Sequence, residues 1–92
     1  IGVDADLYLT DPEKGHVYLT SVTKRMDATV RQVIEMAMND QFAGGLIVGS
    51  LENGGVDLAP FHDLDSAVPD VLKAKLVDIR AGIIDGTISV SP

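Results

Sequence analysis

The stretch Ile1-Gly2-Val3-Asp4-Ala5-Asp6 decides the fold: an apolar strand runs straight into two carboxylates placed two residues apart. In open α/β sheets a ligand is held just beyond the carboxyl ends of the strands, so acids at such an end are placed to meet one. The stretch also begins abruptly on an apolar residue that needs neighbours to cover it. The 92 residues are therefore expected to be the last part of a larger protein rather than a fold complete in itself.

Working outward, residues 7–15 collect Thr10, Asp11, Pro12 and Gly15 and read as an exposed loop. Val17-Tyr18-Leu19-Thr20-Ser21-Val22 is rich in β-branched and aromatic residues and predicts a second strand. Met26, Val30, Val33, Ile34, Ala37 and Met38 recur with the period of one helix face, which predicts a helix over residues 24–40 with Thr23 as its N-cap. Gly44 and Gly45 end that pattern. Leu46-Ile47-Val48 and Val56-Asp57-Leu58 flank Asn53-Gly54, a dipeptide suited to tight turns, and predict a β-hairpin. After a connecting loop at Phe61-His62-Asp63-Leu64-Asp65, a second helix is expected, capped by Asp65 or Ser66, with Pro69 in its first turn and Gly82 at its C-terminus. Thr87-Ile88-Ser89-Val90 alternates as a last strand. Strand, strand, helix, hairpin, helix, strand is an α/β order, and the pieces leave apolar faces that want a further sheet or lobe.

Composition narrows the function. Hydrophobic residues make up 46% and charged residues 23%, a globular profile. Fourteen acids against seven Lys and Arg give a net charge of −7, which repels phosphate backbones and argues against a nucleic-acid partner. Cysteine is absent, which excludes a disulfide and a thiolate nucleophile. Aromatics are 4% and Trp is missing, so a stacking platform for a planar ligand must come mostly from elsewhere.

Five motifs fall in one order: the opening Ile1-Gly2-Val3-Asp4-Ala5-Asp6, then Thr20-Ser21-Val22-Thr23-Lys24-Arg25-Met26-Asp27, Gly44-Gly45, Asn53-Gly54-Gly55-Val56-Asp57-Leu58-Ala59-Pro60-Phe61-His62, and Ala81-Gly82-Ile83-Ile84-Asp85-Gly86. In this the chain resembles the C-terminal portion of the basic membrane protein family of substrate-binding lipoproteins. The resemblance implies a partial Rossmann-like lobe of a periplasmic-binding-protein type I fold, with residues 1–92 one part of a two-lobed binding protein. It implies a purine nucleoside held between the lobes without chemical turnover, and no cofactor. It further implies an ABC transporter permease as partner and an extracytoplasmic protein, lipid-anchored to the cell membrane through a segment ahead of residue 1. Asp4 would accept hydrogen bonds from the ribose hydroxyls and Lys24 would contact the same sugar, while Asp6 serves a turn or a helix cap more readily than a ligand. Leu7 departs from the family pattern, where a polar residue usually follows the second acid.

Other readings remain beside this one. Asp4 and Asp6 could be the nucleophile and acid of a magnesium-dependent phosphatase, but Tyr8 stands where that motif carries Thr or Val. His62, Asp63 and Asp65 are metal-capable, yet adjacent residues rarely converge on one ion, and a polar loop with Asp65 as cap is the simpler reading. His16 has no acid or nucleophile at useful spacing. Apolar helix faces could instead drive homo-oligomerisation or a domain swap.

Overall fold

The computed structural model describes residues 1–91. Its centre is a three-stranded sheet in the order β1 (Gly2–Asp4), β2 (Ser21–Lys24), β3 (Val56–Leu58). β1 and β2 run parallel with Gly2 opposite Ser21 and Asp4 opposite Thr23, while β3 runs antiparallel to β2 with Val56 opposite Lys24. The carboxyl ends of β1 and β2 and the start of β3 therefore share one edge. Around the sheet lie α1 (Leu7–Thr10), a 3-10 turn (Gly15–Val17), α2 (Met26–Met38), a second 3-10 turn (His62–Ala67) and α3 (Asp70–Asp85). The chain is thus a mixed α/β structure with a small sheet.

Several expected elements shift, each for a local reason. The segment expected to be a loop begins with α1, because the Asp6 side chain accepts from the Tyr8 amide at 3.2 Å and caps a first turn. The second strand starts at Ser21 rather than Val17. Gly15–Val17 forms the first 3-10 turn instead, with Gly15 buried against the Tyr8 ring and Tyr18 donating to Asp11 at 2.9 Å. Thr23 does not cap α2: it lies within β2 and its hydroxyl donates to the Asp57 carbonyl across the β2–β3 pairing at 3.0 Å. α2 is correspondingly shorter than residues 24–40, and Lys24 belongs to the strand.

The expected hairpin around Asn53 does not form, since β3 takes β2 as its partner and Leu46, Ile47 and Val48 pair with no strand. The turn itself is stitched by one side chain. Asn53 Oδ1 accepts from the amides of Ser50 and Gly55 at 2.8 and 2.9 Å, and Asn53 Nδ2 donates to the Val48 carbonyl at 2.8 Å. At the other end, α3 starts after Pro69 and runs through Gly82 to a left-handed Gly86 at φ 85°. The last strand is absent because its residues finish the helix: the Ile88 amide returns to the Gly82 carbonyl at 2.9 Å, and the Thr87 amide and hydroxyl donate to Asp85. Those two donors hold the Asp85 carboxyl below its ordinary range. Gly82 is buried where Ile88 folds back on it, leaving no room for a Cβ.

The helices are barely covered. No residue of α2 is buried, and Met26, Val30, Ile34 and Met38 stand exposed along one face. The radius of gyration is 15.9 Å, against about 12 Å for a compact domain of this length. The surface of 6914 Å² likewise exceeds the roughly 5,100 Å² expected at this mass. Buried hydrophobic side chains are limited to Ala59 and Val68 among the described residues. No helix among the described residues is long and apolar enough to cross a membrane.

Candidate functional site

The edge shared by the three strands gathers two of the charged residues singled out from the sequence, Asp4 and Lys24. Asp4 ends β1 and Lys24 ends β2, and their side chains form an ion pair at 2.8 Å with about 58% and 61% of their surfaces exposed. Adjacent parallel strands bring the two together directly, which a helical Lys24 would not have done. Asp4 adopts a positive φ of 75°, a region that Asp tolerates better than most residues. The Asn53 turn reaches the same edge, where the Gly55 carbonyl accepts from the Arg25 amide at 2.8 Å.

Behind this edge lies Ser21, fully buried at 0% exposure. Its hydroxyl accepts from the Leu7 amide at 3.1 Å. Gly2 lies flush against the same side chain, and a Cβ there would fall onto Ser21 Oγ and within 2.6 Å of Leu7 Cγ. One serine thus holds both feet of the arch that carries Asp4.

Asp6 goes elsewhere. Its Oδ1 caps α1 and its Oδ2 lies 2.7 Å from His62 Nε2, with the two side chains only 17% and 21% exposed. Because an ionised carboxylate only accepts, His62 Nε2 is the donor in that bond. The His62 ring stacks on Tyr8, with centroids 4.0 Å apart and planes 9° from parallel, and the Tyr8 hydroxyl donates to Asp63 at 3.0 Å. That hydrogen bond, together with the charge of Asp63, pushes the Tyr8 phenol above its ordinary value. Asp65 takes the Lys73 ammonium at 2.8 Å.

Asp4 and Asp6 therefore face different partners, which leaves the paired-acid phosphatase arrangement without support. His62, Asp63 and Asp65 also diverge, each onto its own partner. The link from Asp6 to His62 spans most of the chain, and no local spacing announces it. Asp65 does not cap α3, whose preceding residue Pro69 makes no side-chain cap.

Taken together, these features define a mixed α/β segment with a polar edge and helices whose apolar sides lie open. No family profile matches the chain. It is 35% identical over 97 residues to the ABC transporter nucleoside-binding protein BmpA of Lactococcus lactis subsp. cremoris (strain MG1363), a match that covers 98% of this chain and 26% of that protein. The chain belongs to the basic membrane protein family of ABC transporter substrate-binding proteins, as part of its C-terminal portion. It spans about a quarter of the length of the curated relative it matches.

Proposed function

We propose that this chain forms one wall of a ligand cleft in the solute-binding component of an ABC importer, and that the solute is a purine nucleoside or a similar ribose-bearing molecule. The observation that carries the reading is the exposed Asp4–Lys24 pair at the carboxyl edge of two adjacent parallel strands, where open α/β sheets bind ligands. The name of the Lactococcus relative, a nucleoside-binding protein, gives the ligand class. A carboxylate can accept two neighbouring ribose hydroxyls, and a hydrogen bond to a charged group contributes roughly 1.5–3 kcal/mol. Lys24 compensates the charge of Asp4 before the ligand arrives and offers a further donor once it is bound. Asp6, engaged by α1 and His62, contributes to the site through the backbone it holds. No bond is made or broken: the protein captures its solute and presents it to the transporter permease.

The finer architecture belongs to the same proposal. The segment is one part of a Rossmann-like lobe in a type I periplasmic-binding-protein fold, and the apolar faces of α2 and α3 are covered by the remainder of that protein. The protein acts outside the cytoplasm, anchored to the membrane by lipid. Calorimetry on the full-length protein tests the reading: it should bind adenosine or inosine, and Asp4→Ala should weaken binding about tenfold or more. Unchanged affinity in Asp4→Ala would remove Asp4 from the site, and failure of the unaltered protein to bind any purine nucleoside would sink the ligand class.

A further inference from the structure

Two non-glycine residues of the arch and its tether hold left-handed backbone: Asp4 at φ 75°, at the end of β1, and His62 at φ 47°, in the turn after β3. Such residues cost of order 1 kcal/mol or more and persist where their surroundings over-determine them. The arch from Gly2 to Leu7 shows what does so. Its first foot, Gly2, is wedged against Ser21 and Leu7, and its second foot is held by the Leu7 amide on Ser21 Oγ. Between them Asp4 reaches out to the exposed Lys24, and Asp6 divides its two carboxylate oxygens between the Tyr8 amide of its own helix and His62, fifty-six residues further along the chain. His62 is in turn clamped by the Tyr8 ring, whose hydroxyl is tied to the neighbouring Asp63.

We infer that Asp6 and His62 are a positioning pair for Asp4: by tying the arch to the turn after β3, they fix the direction in which the Asp4 carboxylate is presented. This role rests on the nucleoside-binding reading. The geometry distinguishes it from the Asp4–Lys24 pair itself. That pair is more than half exposed and so holds position weakly, whereas the Asp6–His62 pair is about four-fifths covered and has the imidazole plane locked by stacking. The ionisable groups placed directly on His62 or beside it are Asp6 from the arch, Tyr8 from α1 and Asp63 from its own turn. Asp6 alone receives the Nε2 proton.

The test uses the full-length protein with inosine as probe. His62→Phe keeps a ring for Tyr8 and removes the donor, and it should weaken binding roughly fivefold. His62→Gln keeps a side-chain N–H for Asp6 and should stay within about twofold of the unaltered protein. In the Asp4→Ala background His62→Phe should cost almost nothing further, because no carboxylate is left to position. An equal loss in both backgrounds, or no loss in either, would overturn the inference. If His62→Phe does not fold, Asp6→Asn is measured in the same two backgrounds and judged by the same outcomes. If the unaltered protein binds no nucleoside, the functional reading fails on its own, and the positioning pair is judged by NMR. Carbon shifts of Asp4 that move out of the left-handed range in His62→Phe would support it, and unchanged shifts would overturn it.

Discussion

The arch from Gly2 to Leu7 and the helix α2 are built on opposite principles. The arch is six residues long and the polar atoms that shape it have named partners: the Thr20 carbonyl for the Gly2 amide, Ser21 for the Leu7 amide, the Tyr8 amide and His62 for Asp6, Lys24 for Asp4. α2 is thirteen residues with a clear apolar stripe and not one buried side chain. The first region carries its own instructions in short-range packing and hydrogen bonds. The second has its secondary structure from local sequence, but its stripe finds no burial among the described residues. An isolated helix of this length is marginal in water, and α2 gains little cover among the described residues.

The difference can be broken or sharpened by mutation. The largest effect is expected at Ile34, whose side chain is about half exposed here. Ile34→Ala should shift the urea unfolding of this segment by less than about 0.5 kcal/mol, and that of the full-length protein by about 2–4 kcal/mol. Equal small shifts would mean that α2 is a solvent-facing helix in the whole protein too. Gly2→Ala should destabilise by about 1–3 kcal/mol, because the added methyl has nowhere to go between Ser21 and Leu7. An unchanged unfolding midpoint would show that the arch is looser than its contacts suggest.

Gly86→Ala should cost about 1 kcal/mol, since Gly86 closes α3 at φ 85° with open space around it, so the penalty is conformational rather than steric. A melting temperature equal to that of the unaltered chain would contradict that cap. The smallest effect belongs to Asp27, whose carboxyl is held down to about 2 from 3.8, mainly by the hydrogen-bonded guanidinium of Arg25. A group lowered in the folded state contributes above its ordinary value and loses that contribution as pH falls through the folded one. The helical circular dichroism of α2 should therefore decline slightly between about pH 4 and pH 2, and Asp27→Asn should flatten that decline. Superimposable titrations would detach Asp27 from the helix.

The contrast also explains which parts of the structure could be read from the residues. The opening strand and both long helices follow from apolar runs and a 3.6-residue period, which are local properties. Pairings are not local. Val56, Asp57 and Leu58 were a sound strand, but nothing in their neighbourhood said that β2, rather than residues 46–48, would be their partner. Thr87 and Ile88 alternate as a strand would, yet the Gly82 carbonyl takes the Ile88 amide and the Asp85 carboxylate takes the Thr87 amide. At the candidate site, Asp4 and Lys24 stand at positions the sequence singles out, whereas the largely covered bond from Asp6 to His62 joins residues fifty-six apart and becomes visible only in three dimensions.

The mixed direction of the sheet has a consequence for the order of assembly. β2 sits in the middle, and its two pairings close loops of unequal length: Gly2 reaches Ser21 over a short stretch, while Leu58 reaches Val22 over nearly twice the distance. Loop closure costs about 0.6 kcal/mol more for each doubling of length, so the parallel pair is expected to zip first and β3 to dock on a ribbon already made. Asp4 and Lys24 then face each other before His62 arrives, and the late docking of β3 is the event that locks them.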